Sequence, residues 1–348
     1  MRKFILAIIL MLGVVFILGR FAEMQQLAAT MERGIWYYLI LGIAVETAWV
    51  VNNGAAYRAI YRILDLPEQP LLHMVQLAAS ANFVNIIAPT GGMSGIAVFV
   101  ADARRQNQPS ARMMVAGAMF VLFDYMAFLC VLTLGMAVLA RRNNLNWAEI
   151  TASFILLTGA LALLAVIYLG MRSEALLARV LVGATRVINQ LVHPFLRHDY
   201  IPENRARTFA HDAVYGLSAL RQATRRQILQ PFFHALLNKA LLIITFFLMF
   251  MAFQVPLSAG TLIAGFSVGY LFLIVSPTPS GIGVVEGVLT LSLTSMFVSL
   301  ANATVVVVAY RGITFWLPLL AGLVTFRLLG RLERHSPQKN LPPPSPAP

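Results

Sequence analysis

The sequence predicts an all-α fold: a polytopic membrane helix bundle of about eight to nine helices with broken, re-entrant segments and an inverted repeat. Three observations carry this expectation. Of 348 residues, 59% are hydrophobic and only 11% are charged, a composition of membrane proteins rather than of soluble domains. Apolar runs recur along the chain at the length a bilayer span requires, roughly 17–25 residues. Two similarly worded breaks interrupt those runs, Pro89-Thr90-Gly91-Gly92-Met93-Ser94-Gly95 and Pro277-Thr278-Pro279-Ser280-Gly281-Ile282-Gly283. Proline removes a backbone donor and clashes with the preceding helical turn. Glycine tolerates backbone angles that other residues avoid.

The first apolar run, 4–20, follows Arg2 and Lys3 and ends in Arg20-Phe21-Ala22-Glu23. It lacks a small-residue cleavage site and reads as an uncleaved span rather than a signal peptide. Further helices are expected near 35–57, 70–88, 113–140, 150–170, 231–254, 258–276, 283–300 and 302–329. The piece 93–104 after the first break reaches only about 18 Å at about 1.5 Å per residue and should return to the face its preceding helix entered from. The second break makes a similar hairpin, or 283–300 crosses; its length suits either.

Basic residues set the orientation. Arg2, Lys3, Arg58, Arg62, Arg104, Arg105, Arg112, nine arginines from Arg172 to Arg226, and Arg327, Arg331, Arg334 and Lys339 can all be cytoplasmic if 70–104 returns inward. Both termini are then cytoplasmic, and Arg141 and Arg142 fall outside. The helix-plus-break units that follow 35–57 and 231–254 enter from opposite faces, which is an inverted-topology repeat. The same arrangement answers the net charge of +12. Arginines gathered in loops between spans follow the positive-inside rule, so a nucleic-acid partner is not expected.

The chain divides into a membrane domain, 1–334, and a tail, 335–348, with six prolines in fourteen residues. Such a tail is expected to be disordered. Within the domain, 171–230 is a cytoplasmic insertion. Arg172, Arg179 and Arg186 alternate there with Leu176, Leu177, Val180, Leu181 and Val187, the pattern of an amphipathic surface helix facing anionic lipid head groups or packing under the bundle. Pro194 and Pro202 should break it, and a second helix should cover 204–228. The single cysteine, Cys130, permits no internal disulfide.

Five charged residues fall inside expected spans: Glu46, Asp124, Lys239, Glu286 and Arg311. Left unpaired they would cost about 12–17 kcal/mol on the insertion scale, so they are candidates for function. Glu286 follows the second break and is placed to pair with Arg311 in the last helix. Arg311 could exchange that partner for a phosphate, which suits its planar donor fork. Asp124 is expected to pair with Lys239 or Arg311, and Lys239 to face an anionic group or snorkel to the interface. Glu46 either lies in a groove or is protonated against lipid. The break residues Thr90, Gly91, Gly92, Thr278, Ser280 and Gly281 complete the substrate-binding candidates. Asn82 and Asn85 should bond freed backbone groups, and His73 and His234 should pack. Gly91/Gly95, Gly265/Gly269 and Gly283/Gly287 have the spacing of close helix contacts. No metal spacing, nucleophile elbow or P-loop occurs, so neither metal nor cofactor is expected.

At these residues the chain resembles the flippase-like transmembrane region of lysylphosphatidylglycerol synthases. Pro277, Pro279, Gly281, Gly283 and Glu286 are similar to that family's Pro-x-Pro-x-Gly-x-Gly-x-x-Glu signature. Tyr310-Arg311 and Gly322 also fit it, as do Asn85, Pro89-Thr90-Gly91-Gly92, Ser110-Ala111 and Asp124. The resemblance spans roughly 10–330 and implies movement of a phospholipid or lipid-linked head group between leaflets of the cytoplasmic membrane. The family's full-length enzymes carry a soluble aminoacyl-transfer domain after the membrane region, and that activity is not carried over here. With no ATP-binding motif, movement must be downhill or ion-coupled. The rivals are a non-transporting accessory that docks a lipid-modifying or glycosyl-transfer enzyme, and a membrane enzyme using Glu286 or Asp124 as acid or base.

Overall fold

The computed structural model describes residues 30–87, 94–106, 108, 110–196, 222–276 and 278–335, with scattered positions in 208–220. The expected first span, Pro89 to Met93 of the first break, Pro277, Pro202 and the proline-rich tail lie outside the described residues. Among the described residues every regular element is helical.

The order is α1 (Trp36–Ile63), α2 (Leu71–Ile87), α3 (Ile96–Arg105), α4 (Ser110–Arg141), α5 (Trp147–Arg172), α6 (Glu174–Leu196), α7 (Arg225–Ala252), α8 (Ala259–Val275), a 3-10 turn (Pro279–Gly281), α9 (Val284–Ser295), α10 (Leu300–Arg311), a π-helical turn (Gly312–Trp316) and α11 (Leu317–His335). Among the described residues, five stretches are long and apolar enough to cross a membrane: α1, α4, α5, α7 and the α10–α11 rod. The protein is therefore a multi-pass membrane protein.

Two of the expected spans lie at the short end of the crossing range. α8 and the described part of α2 each have 17 residues, about 25 Å against a hydrocarbon core of about 30 Å. α8 stops at Ser276, which is extended (ψ 137°) ahead of Pro277, as the residue before a proline prefers. The ambiguity over 283–300 resolves as a hairpin. α9 has 12 residues and folds back along α8, with Leu293 against Gly265 and Leu289 against Gly269.

The order of lengths repeats. A 28-residue helix, a 17-residue helix, an interruption, a short helix and a long helix occur first as α1–α4 and again as α7–α11. The halves interlock through antiparallel contacts. On α1 and α7, the Ile35 N–H donates to the Ala252 carbonyl and Asn52 meets Asn238. On α4 and α8, Ser267 donates to the Val131 carbonyl, and a Cβ on Gly135 would collide with the Ser267 side chain. On α2 and α11, the Ser80 hydroxyl donates to Thr325, and Gly322 lies against the Ala79 carbonyl.

Three boundaries differ from the sequence expectation. α6 continues through Pro194 to Leu196. The expected helix over 204–228 stops early: the described positions between 208 and 222 are helical, but Ala223 and Thr224 are not. Instead Thr224 caps α7: its hydroxyl accepts from the Gln227 N–H, and the Gln227 side chain accepts from the Thr224 N–H, a reciprocal cap. α7 thus starts at Arg225, with Pro231 inside it rather than at its start.

Burial divides into two clusters. One gathers around Tyr57, which stacks on Phe99 and Phe120 at 4.0 and 4.1 Å. The other gathers around Phe128, Phe246, Phe250 and Phe266. α6 buries Leu177 and Val182 and exposes Leu176 and Val180, as an amphipathic helix does.

Candidate functional site

A cavity of about 230 Å³ lies among the interlocked helices. Its wall draws Glu46, Trp49 and Asn53 from α1, Asn82 and Asn85 from α2, and Asp124 and Tyr125 from α4. From the second half come Gly269 and Tyr270 of α8, Thr278 and Ser280 of the break, and Tyr310 and Arg311 of α10.

The second break is built to aim its backbone. Ser280 and Gly281 take positive φ values, 49° and 69°, and Gly283 takes 78°. A Cβ on Gly281 would collide with Val285 Cγ2, so glycine is needed there on two counts. The turn points the Ser280 carbonyl at Arg311, whose Nη2 donates to it at 2.8 Å. Arg311 Nε donates to Glu286 Oε1 at 2.8 Å. Glu286 Oε2 accepts from the Gly283 N–H at 2.7 Å. One carboxylate therefore caps the first turn of α9, where a negative charge is favoured, and holds the guanidinium. Thr278 is braced locally by Ser276, whose hydroxyl accepts from the Thr278 N–H at 3.2 Å.

Arg311 is the last residue of α10 before the π-turn. Pro318 lacks the N–H that an α-helix would offer the Thr314 carbonyl. The Thr314 hydroxyl donates to the Tyr310 carbonyl at 2.9 Å. The widened turn places the Phe315 ring 5.5 Å from the Arg311 guanidinium. The expected uniform helix over 302–329 misses this distortion; Pro318 is its sequence signal.

A second charged group closes on itself. Lys239 Nζ donates to Asp124 Oδ1 and to the Tyr270 hydroxyl, both at 2.5 Å. The Tyr270 hydroxyl donates to Asp124 Oδ2 at 3.1 Å. Asp124 thus pairs with Lys239, not Arg311. Lys239 is buried behind Asp124, away from the interface, and is not among the cavity-lining residues. Tyr270 is absent from the sequence-derived candidates; a phenol within the apolar α8 run was its only signal.

A polar ladder joins α1 to α7. Asn52 Nδ2 donates to Asn238 Oδ1 at 2.6 Å, and Asn238 Nδ2 donates to Asn53 Oδ1 at 3.0 Å. His234 Nδ1 lies 2.6 Å from Asn52 Oδ1. His73 Nε2 lies 3.1 Å from Asp102 Oδ2. Both histidines therefore serve packing and hydrogen bonding.

Of the first break, Ser94 and Gly95 are described, whereas Thr90, Gly91 and Gly92 are not. Asn85 Oδ1 accepts from the Gly95 N–H at 2.6 Å and from the Ser94 hydroxyl at 2.8 Å. This is the backbone task its position suggests. A Cβ on Gly95 would stand 2.7 Å from the Ala81 carbonyl oxygen. The spacing reading fails at Gly283 and Gly287, where an added Cβ would meet nothing within 4 Å. Gly283 answers to its backbone angle instead.

These features define a multi-pass helical membrane protein with interlocked halves around a charged internal cavity. The chain belongs to the Lysylphosphatidylglycerol synthase TM region family, which it matches over residues 4–322. No curated protein matches it.

Proposed function

We propose that the protein is a lipid translocase of flippase type, moving a phospholipid or lipid-linked head group between the leaflets of the cytoplasmic membrane. The observation that carries the reading is Arg311 on the cavity wall, held by a carboxylate and a backbone carbonyl of a broken helix. A guanidinium presents donors in a fork that fits phosphate. A head-group phosphate would take the place of Glu286, while the acyl chains stay in the bilayer.

The repeated order of elements supports this reading. Corresponding helices α1 and α7 run antiparallel, as an inverted-topology repeat requires, and such repeats place substrate sites where broken helices meet. The basic loops support a cytoplasmic position for both termini and 171–230. There α6 and its arginines would meet anionic head groups.

The test is reconstitution in liposomes with a head-group-labelled phospholipid. The purified protein should accelerate exchange between leaflets, and Arg311→Ala should abolish the acceleration while the protein remains folded. Absence of exchange with every lipid tried would sink the proposal. Co-purification with a transferase would then favour an accessory, and product formation by the protein alone would favour an enzyme.

A further inference from the structure

Of the five charges in the expected spans, four form the two pairs just described, and Glu46 stands apart. It is 0% exposed and lines the cavity. Neither of its carboxyl oxygens has a hydrogen-bond partner among the described residues. Trp49, one turn further on the same helix face, also lines the cavity, and its buried indole N–H has no partner among the described residues. The cavity wall therefore carries one member of each ion pair, Asp124 and Arg311, and one odd carboxyl group.

An ionised carboxylate in such a place loses several kcal/mol of hydration without a counter-charge to restore it. The helices around α1 bring other titratable and charged groups: His73 from α2, Asp124 and Tyr125 from α4, His234 and Lys239 from α7, Tyr270 from α8, and Tyr310 and Arg311 from α10. None donates a hydrogen bond to Glu46. His73 meets Asp102, His234 meets Asn52, Lys239 meets Asp124, and Arg311 meets Glu286.

We propose that Glu46 is a proton-binding site, occupied when an anionic head group enters the cavity and vacated when it leaves. The step is a simple transfer. A proton from water bonds one Glu46 oxygen to give the neutral acid and later returns to water; no other bond changes. The part of the proposal that concerns the head group rests on the translocase reading. An anion beside an ionised Glu46 would be repelled, whereas beside the acid it would not. Linkage then requires each ligand to strengthen the other's binding by one factor. A proton fits better than a metal cation. Hard cations need several oxygen ligands. Here the neighbouring Asn53 Oδ1 and both Asp124 oxygens are already used, and Trp49 offers a donor rather than a ligand.

Two measurements on the full chain in liposomes test this. Infrared difference spectra between acidic and alkaline buffer should show the carbonyl stretch of a weakly hydrogen-bonded carboxylic acid, absent in Glu46→Gln and shifted in Glu46→Asp. Exchange of labelled phosphatidylglycerol should slow about tenfold per pH unit on the alkaline limb, the slope of one linked proton. Glu46→Gln should flatten that profile, and Glu46→Asp should restore it. A Glu46→Gln spectrum identical to wild type, an unflattened profile, or a rate that follows sodium concentration instead of pH would overturn the proposal. If no lipid exchanges at all, the translocase reading fails while the infrared band still decides the proton site.

Discussion

The two ion pairs contain similar chemistry and are held in different ways. Lys239 and Asp124 join α7 to α4, with Tyr270 of α8 completing the group. The pair therefore fastens one half of the molecule to the other. Its lysine side chain is 1% exposed and its carboxylate 18%. Arg311 and Glu286 both belong to the second half, on neighbouring helices, with the Ser280 carbonyl of the break as third member. Their side chains are 9% and 32% exposed. The first pair bridges the two halves across three helices, whereas the second fastens a local break within one half. On the translocase reading, the cavity thus has one fixed charged wall and one exchangeable one.

Breaking the fixed pair should have the largest effect. Lys239→Met leaves Asp124 without its counter-charge and should lower stability by about 3–5 kcal/mol, the usual penalty for removing one partner of a buried pair. Thermal unfolding in detergent would measure it. Adding Asp124→Asn should recover most of the loss, because the orphaned charge is gone. A loss below about 1 kcal/mol, typical of exposed pairs, would place Lys239 outside the assembly of the bundle. Gly281→Ala comes next. Its positive φ and the collision with Val285 should cost about 1–3 kcal/mol as backbone strain alone. It should also displace the Ser280 carbonyl from Arg311, so exchange should fall along with stability.

Much of this contrast was legible in the residues. Composition and span lengths gave the helical membrane class, and proline with glycine marked the second break. Glu286 and Arg311 could be paired because one charge follows the second break and an opposite one lies two turns into the next expected helix. Asp124 could not be assigned between two cations, because that choice depends on how α4, α7 and α8 pack. The fixed wall depends on Tyr270 and on the Asn52–Asn238–Asn53 ladder. These are single polar residues in apolar runs, and only tertiary packing brings them together. Helix starts were missed where side-chain capping outweighed the hydrophobic pattern, as Thr224 and Gln227 do for α7. Glu46 was visible as a charge in a span, but its lack of a partner is a property of the assembled cavity.

The exchangeable wall is sharpened by Arg311→Lys. Lysine keeps the charge and loses the fork that holds Glu286 and the Ser280 carbonyl together. Loss of one charge-assisted hydrogen bond, about 1.5 kcal/mol at its lower end, corresponds to roughly a tenfold slower exchange. Stability should move less than in Lys239→Met. If Arg311→Lys destabilised as strongly as Lys239→Met, both pairs would be structural and the distinction would vanish.

Gly283→Ala should have the smallest effect and isolates backbone angle from packing. Its φ is 78°, yet an added Cβ would meet nothing within 4 Å. The left-handed penalty alone, about 1–2 kcal/mol, should therefore appear in thermal unfolding. The Gly283 N–H that donates to Glu286 belongs to the backbone, so alanine retains the donor and the Arg311 clip survives. Exchange should accordingly stay close to wild type in Gly283→Ala while it falls in Gly281→Ala. Equal losses of exchange in the two variants would mean that Arg311 reads the shape of the whole break, not the position of the Ser280 carbonyl.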